Sequence, residues 1–510
     1  MKKNHKTLNS PQGALNDRTT KMQFMFIIIF AVNLCLSLGM AMASSGKALS
    51  VTLFGGAKYT DQFMDFLNSI RDNNQTNVYY TRGSIYPPLA VIFFRLIATL
   101  LSSDIPETKF ADRYSLLYDH RTMLIFVLFV VLSLVAIDKM IDYRMRDAKI
   151  PFFARLSAFC LVIAYPVLYC IERGNIVILC VVTSMFFFFF RDSENKVIRE
   201  LSYISLAISA GLKFYPAIFG LILIIEKKYK DAARLILYGI LFVVVPFIII
   251  NRMDNAAAAK IAASTTSSVA RAGGITGNQT VSSLTLTNNI LPLAKKSASD
   301  QVTLKENLDR IIYNIKHFFK KKTVSLNFSE VSIQNIFCLP WIKKALGKEA
   351  AANWANIALY ISEGVAFFFV CTAKKEWERV FLMTYIMLNI PAASSTYSLS
   401  FIIIPFALFL ADKKEKKKVE WLSAVMFSLL VSYIPVFWIN SLDEFRKFTK
   451  AQGLGTEAAP ARLFGGIFFQ ILFLSVILPE FIRVVKFIIN KLNRKSKPEV
   501  KAEAVGSECQ

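Results

Sequence analysis

The stretch GNIVILCVVTSMFFFFF, residues 174–190, decides the fold. No soluble domain needs five consecutive phenylalanines, Phe186 to Phe190, and a block of this length suits a helix crossing about 30 Å of hydrocarbon. Working outward, similar apolar blocks occupy 22–43, 84–103, 120–138, 152–171, 199–225, 232–251, 354–373, 378–396, 398–411, 420–440 and 462–488. The chain of 510 residues is 54% hydrophobic with a mean hydropathy of +0.44, so a soluble fold would expose apolar surface everywhere. The sequence predicts an all-α polytopic membrane protein, because lipid leaves no other way to satisfy the backbone than helices or a closed barrel.

The net charge is +24. In a soluble chain that would suggest nucleic acid; here the Lys and Arg sit in short connectors and tails, where they orient helices and meet anionic head groups, so no nucleic-acid partner is expected. The seven cysteines form no CxxC, most lie inside apolar segments, and there are only three histidines. Neither a disulfide framework nor a His-based metal site or triad is expected. Ala41-Met42-Ala43 resembles a signal-peptidase site, but the first apolar run reads as an uncleaved span.

The chain divides into a cytoplasmic N-terminal tail (1–21), a first transmembrane module (22–251) with an outer loop at 44–83, a long outer loop (252–353), a C-terminal bundle (354–488) and a basic cytoplasmic tail (489–510). The basic loops 226–234, 374–379 and 412–420 set the cytoplasmic side. Simple counting then puts the basic loop 138–155 outside. If 84–103 and 199–225 instead dip in and return, parity is kept and that loop moves inside.

Four polar groups stand out. Read as a helix, 61–72 puts Asp61, Asp65, Asn68 and Asp72 on one face and Phe63, Phe66, Leu67 and Ile70 on the other, an interfacial pattern with carboxylates away from lipid. Arg82 is a further charge in that loop, and Tyr86-Pro87-Pro88-Leu89 opens the next apolar segment with prolines suited to a first helical turn. Glu172-Arg173-Gly174-Asn175 places a tight turn and two charges at a membrane edge, where a mutual ion pair is the simplest explanation. Lys213, followed by Phe214-Tyr215-Pro216, would lie about 18 Å from either end of a single span at ~1.5 Å per residue. A buried cation is a functional candidate with phosphate as its natural partner, or else pairs with Glu172 or an Asp. Beyond these, 302–322 reads as a basic amphipathic helix for the outer membrane surface, with Leu304, Leu308, Ile311, Ile312, Ile315, Phe318 and Phe319 on its apolar face. Pro391 to Tyr397 joins two apolar runs, with Tyr397 as a candidate substrate contact.

In this order the motifs resemble the polyprenyl-phosphate-dependent glycosyltransferase family 87 of the GT-C superfamily. The resemblance rests on Asp65-Phe66, Tyr86-Pro87-Pro88-Leu89, Glu172-Arg173-Gly174-Asn175, Lys213-Phe214-Tyr215-Pro216 and Asn278-Gln279-Thr280. The Arg-Gly-Asn and Lys-aromatic-Tyr-Pro elements also resemble the mannosyltransferase of GPI-anchor synthesis. The commoner family turn is Gly-Gln-x-Asn, whereas Arg173 here directly precedes Gly174-Asn175, which leaves the donor contacts of that turn open. Asp61 stands as an alternative to Asp65 for the matched carboxylate.

The resemblance implies a GT-C-like bundle of about 10–12 helices with interfacial helices in its outer loops, each span of the length lipid requires. It implies an enzyme that moves a hexose such as mannose from a polyprenyl-phosphate sugar to an envelope lipid or glycan acceptor, with inversion, on the non-cytoplasmic face of the cell membrane. Asp65 would be the general base, with Asp61 supporting it or holding a divalent metal; no other cofactor is implied. Arg82, Tyr86, Glu172, Arg173, Asn175, Lys213, Tyr215, Asn278, Gln279 and Tyr397 would contact substrate, and membrane lipids would surround the site. The competing readings are a lipid-linked oligosaccharide flippase or other transporter, which would need a matching pair of interrupted segments in the two halves, and a polysaccharide polymerase.

Overall fold

The computed structural model describes residues 17–46, 62–101, 113–272, 297, 300–325, 331–338, 340–389, 396–412, 420–433 and 460–495. Among these residues the regular elements are all helical. Helix α1 (Arg18–Ala43) starts where the Asp17 side chain accepts from the Thr20 amide. Two short helices, α2 (Met64–Asn73) and α3 (Val78–Thr81), precede α4 (Pro88–Leu101), and α5 (Arg113–Tyr118) leads into α6 (His120–Met145). Helices α7 (Pro151–Val162) and α8 (Tyr165–Glu172) form one broken pass, with Pro166 in the first turn of its second part. Next come α9 (Val177–Phe190), α10 (Lys196–Leu212), a 3-10 turn over Tyr215–Gly220, α11 (Leu221–Ile225) and the long α12 (Tyr229–Ala272). The second half holds α13 (Leu304–Ser325), α14 (Lys348–Thr372), α15 (Glu376–Asn389), a 3-10 stretch Thr396–Ile402 running into α16 (Ile403–Ala411), α17 (Glu420–Val431) and α18 (Pro460–Lys495).

Five helical segments are long and apolar enough to cross a membrane, so the chain is a polytopic membrane protein as its hydropathy predicts. Burial separates their roles. The α7–α8 pass is 67% buried, whereas the apolar windows of α1, α6, α12 and α14 are only 17–28% buried and present apolar side chains outward. The buried centre is tied by aromatic contacts: Phe406 stacks on Phe427 at 4.8 Å, and Phe26 meets Phe406 edge-on at 4.8 Å.

Ion pairs gather the helix ends on one charged face. Arg144 at the end of α6 pairs with Glu376 (3.0 Å), Arg191 after α9 with Glu226 (2.9 Å) and Glu376 (3.1 Å), Lys149 with Asp17 (3.2 Å), and Lys375 with Glu420 (2.6 Å). The loop 138–155 therefore shares a face with 226–228, 375–379 and the start of α1, which is the arrangement with a returning segment and not the one simple counting gives. The returning segment is α10 to α11. Lys228 just after α11 pairs with Asp192 just before α10 at 2.5 Å, so both ends lie on the charged face. Helix α10 rises about 26 Å at ~1.5 Å per residue and stops at Lys213, whose extended backbone (φ −144°, ψ 132°) begins the turn back ahead of Pro216.

Over its described residues, 84–101, the segment expected at 84–103 does not cross. Helix α4 starts at Pro88, as the paired prolines predict, and lies against α2: Phe94 packs on Phe66 at 5.9 Å, and Arg95 donates to the Asn73 carbonyl at 2.7 Å. Arg95 also pairs with Asp254 (2.7 Å) on α12, both side chains being under a tenth exposed. Asp254 stands about 37 Å along α12 from Tyr229 at ~1.5 Å per residue, beyond the thickness of a hydrocarbon layer. The described residues 62–84 and α4 thus form a polar cap on the face opposite the charged one.

Candidate active site

The site is built on two turns that hold each other. Helix α8 ends in a Schellman turn: the Asn175 amide donates to the Cys170 carbonyl (3.0 Å) and the Gly174 amide to that of Ile171 (2.8 Å). Gly174 takes φ +64°, and a Cβ there would lie 2.9 Å from the Phe63 carbonyl oxygen and 3.0 Å from its Cα, so only glycine fits. Opposite it, Phe63 is itself left-handed (φ 58°) and delivers the chain into α2. Phe63 N–H donates to the Glu172 carbonyl (2.7 Å) and Asp65 N–H to that of Arg173 (3.0 Å), so residues 63–65 and 172–173 are stitched backbone to backbone.

That stitching brings the Asp65 carboxylate between Arg173 and Asn175. The Arg173 guanidinium donates to Oδ1 at 2.8 Å and the Asn175 amide to Oδ2 at 2.8 Å. The Asn175 side-chain carbonyl accepts from the Val177 amide (3.1 Å) at the start of α9, which fixes which end of the amide faces Asp65. Arg173 and Asp65 keep 25% and 21% of their side chains exposed, so the pair is reachable while half-shielded. An ionised carboxylate offers about four lone-pair directions, and these two bonds use two of them.

A second layer links Asp65 to Lys213. Ser69 Oγ donates to the Asp65 carbonyl (2.5 Å) and lies 3.2 Å from the Tyr86 hydroxyl. The Lys213 ammonium sits over the Tyr86 ring, 4.2 Å from its centroid, a cation–π contact. Among the described residues no carboxylate stands within ion-pair distance of Lys213, so the expected alternative of a structural pair with Glu172 or an aspartate is not what the fold contains. Tyr397, at the start of the 3-10 stretch packed against α8, lies within electrostatic reach of Asp65, Tyr86 and Arg173, and Tyr215 meets Phe401 of the same stretch edge-on at 5.9 Å.

The fold therefore brings Asp65, Arg173, Asn175, Tyr86, Lys213, Tyr215 and Tyr397 to one place. Glu172 contributes its carbonyl to the stitch. Arg82 does not join: it is exposed and stands 3.7 Å from Asp72, which also pairs with Arg71 at 2.9 Å. The helix read from 61 starts at Met64, and its apolar side docks on the bundle, with Phe66 packed on Phe126 and Phe129 as well as Phe94. The expected free interfacial helix with a solvated acidic face is thus a docked helix whose first carboxylate turns inward to Arg173. Arg173 is accordingly the partner of Asp65, which the local Glu-Arg ion pair did not anticipate. Ser69, four residues after Asp65, was not singled out in the sequence, and Phe63 was read there only as part of an apolar face; it carries no composition signal for a left-handed residue. Asp61, Asn278 and Gln279 lie outside the described residues. Among the described residues no group of three or more His, Cys, Asp or Glu is placed to hold a metal ion.

The polytopic helical fold thus carries a carboxylate–guanidinium knot and an ammonium at the tip of a returning hairpin. Residues 85–294 match the family model of glycosyltransferase family 87, consistent with a GT-C-type glycosyltransferase, and the resemblance drawn from the motifs is shown over that stretch. That stretch includes Tyr86, the Arg173–Asn175 turn and Lys213, while Asp65 precedes it. Searches among curated proteins and solved structures returned no match.

Proposed function

We propose that this membrane glycosyltransferase takes its sugar from a polyprenyl-phosphate donor and transfers it with inversion at the face opposite the charged one, the charged face being read as cytoplasmic from its basic connectors. The observation that carries the proposal is Lys213, a cation with an aromatic contact and no described carboxylate partner, set at a hairpin tip beside the Asp65 knot. A phosphate would complete its coordination, and the lipid tail would leave between the outward-facing helices. The proposed acceptor is a hydroxyl of an envelope lipid or glycan, and the proposed sugar a hexose such as mannose.

In this reading Asp65 takes the acceptor hydroxyl proton as that oxygen attacks the anomeric carbon. The bond from that carbon to the phosphate oxygen breaks, and the electron pair leaves with the polyprenyl phosphate. A phosphate leaves without needing a proton, so the leaving group calls for fixed cations, with Lys213 the first of them. Arg173 and Asn175 hold the Asp65 carboxylate in position, and Tyr86 orients Lys213. Tyr215 and Tyr397 would line the sugar.

The test is Asp65→Asn in purified protein reconstituted with a polyprenyl-phosphate hexose. The amide keeps the shape and loses the base, so transfer should fall by ~10²–10⁴-fold. Transfer at the parental rate would remove Asp65 from the chemistry.

A further inference from the structure

Helix α13, from the long loop after α12, presents three different surfaces. Its Asn307, Ile311 and Asn314 are buried. Asn307 donates to the Asn251 side chain of α12 at 2.8 Å, and the nearby Val302 backbone exchanges two hydrogen bonds with Asn255 (3.0 and 2.8 Å). Asn314 donates to the carbonyls of Tyr79 (2.8 Å) and Ser84 (3.2 Å), closing the turn that carries Tyr86, whose own amide donates to Ser84 Oγ (3.2 Å).

Beside that packed face runs an uncovered apolar ridge. Leu304, Leu308 and Ile312 are 41%, 49% and 42% exposed. At ~100° per residue they fill an arc of about 80°, and exposed Lys305 and Lys316 follow at about 100–120°. The order around the helix is protein, apolar ridge, lysines, then Asp309. The ridge also continues a lipid-facing surface. Helix α12 exposes Leu237, Leu241, Val244 and Ile249, and Asn251, where α13 attaches, is about 33 Å from Tyr229 at ~1.5 Å per residue, the depth at which a hydrocarbon layer of ~30 Å ends.

We propose that α13 is a lipid-seated clamp: the Leu304–Leu308–Ile312 ridge rests in the acyl edge of the bilayer, Lys305 and Lys316 reach its anionic head groups, and Asn314 holds the 79–84 turn that positions Tyr86. Apolar ridges flanked by lysines seat helices at such interfaces, with the lysine stems along the acyl edge and the charge at phosphate level. The membrane surface thereby supports the geometry under Lys213. This deepens the donor-site proposal above and rests on it only for the role of Tyr86.

Two measurements on full-length protein in phosphatidylcholine–phosphatidylglycerol vesicles test it without using transfer. Nitroxide labels are placed at Leu308→Cys and Asp309→Cys, each read against the identically treated parent. The label at 308 should relax with dissolved oxygen and be shielded from a water-soluble nickel chelate, while that at 309 should show the reverse. Equal access of the chelate to both would overturn the lipid seat. Asn314→Ala, or Asn314→Asp, which keeps the shape and loses the donors, should speed amide exchange across residues 80–86 at least ~10-fold through local opening. Unchanged protection there would overturn the clamp. If Asp65→Asn proves harmless, both results still stand or fall independently.

Discussion

Replacing Gly174 with alanine attacks the one contact on which the site's geometry depends. The added methyl has a backbone oxygen 2.9 Å away and two carbons at 3.0 Å, and the residue must keep φ +64°. A left-handed alanine costs about 1–2 kcal/mol. The backbone neighbours cannot swing aside like a flexible side chain, so relief comes by parting the two turns. That gives up the Phe63–Glu172 and Asp65–Arg173 backbone bonds, each worth about 0.5–1.5 kcal/mol. The expected cost is therefore ~2–5 kcal/mol, with Asp65 displaced from its partners by the parting. A misplacement of about 1 Å can cost on the order of 10²-fold in rate. The assay combines the initial transfer rate at saturating donor with amide exchange at Phe63 and Asp65. Gly39→Ala in α1 serves as control, since no neighbouring atom lies within 4 Å of its Cβ position. Parental transfer by Gly174→Ala with both amides still protected would refute the reasoning.

Arg95→Met leaves Asp254 buried without its cation, which should cost about 3–5 kcal/mol of stability, and adding Asp254→Asn should recover part of that; thermal denaturation in detergent reads both. Asp119 caps α6, its carboxylate accepting from the Thr122 amide and hydroxyl, both at 2.8 Å. Burial works to raise its pKa, but those hydrogen bonds with Arg121 and His120 outweigh it and hold the group below its ordinary 3.8. A depressed folded-state pKa stabilises the fold above the unfolded value and loses that contribution as pH falls through the folded value. Asp119→Ala should then cost about 0.5–2 kcal/mol near neutral pH, and the gap between parent and variant should close only below about pH 4. A gap that already closes at pH 5–6 would contradict the assigned cap.

Most of the fold was legible because lipid imposes a simple rule on backbone polar groups, and the runs ending at Phe190 and starting at Phe24 obey it plainly. The charged face was half legible. Counting apolar runs could not separate a crossing helix from a returning one; the ion pairs Lys228–Asp192 and Arg191–Glu226 do. Proline did give a local sign, since Pro216 sits where the chain turns back and Pro88 where α4 begins. Several residues that the fold brings together could be named from the sequence, but their contacts could not. Asp65 and Arg173 are 108 residues apart, and no local periodicity relates them. Among the described residues the 100° pattern groups Phe66, Leu67 and Ile70, which are buried, but it suggested lipid where the fold supplies protein, because Phe66 and Ile70 suit either environment, and it suggested solvent for Asp65, which turns inward to Arg173. Arg82 was drawn in by its charge and position in the loop, whereas tertiary structure leaves it beside Asp72. Ser69 does carry a local sign, since a hydroxyl one turn after Asp65 can reach back to the Asp65 carbonyl while meeting Tyr86.

The central claim is that the donor's phosphate binds at Lys213. It is tested most directly by titrating a polyprenyl-phosphate hexose into the parent, Lys213→Met and Asp65→Asn proteins in vesicles and measuring Kd. Losing a charge-assisted contact of about 1.5–3 kcal/mol should weaken binding to Lys213→Met by roughly 10–150-fold, while Asp65→Asn binds as the parent does. Equal Kd values for the parent and Lys213→Met would contradict the account.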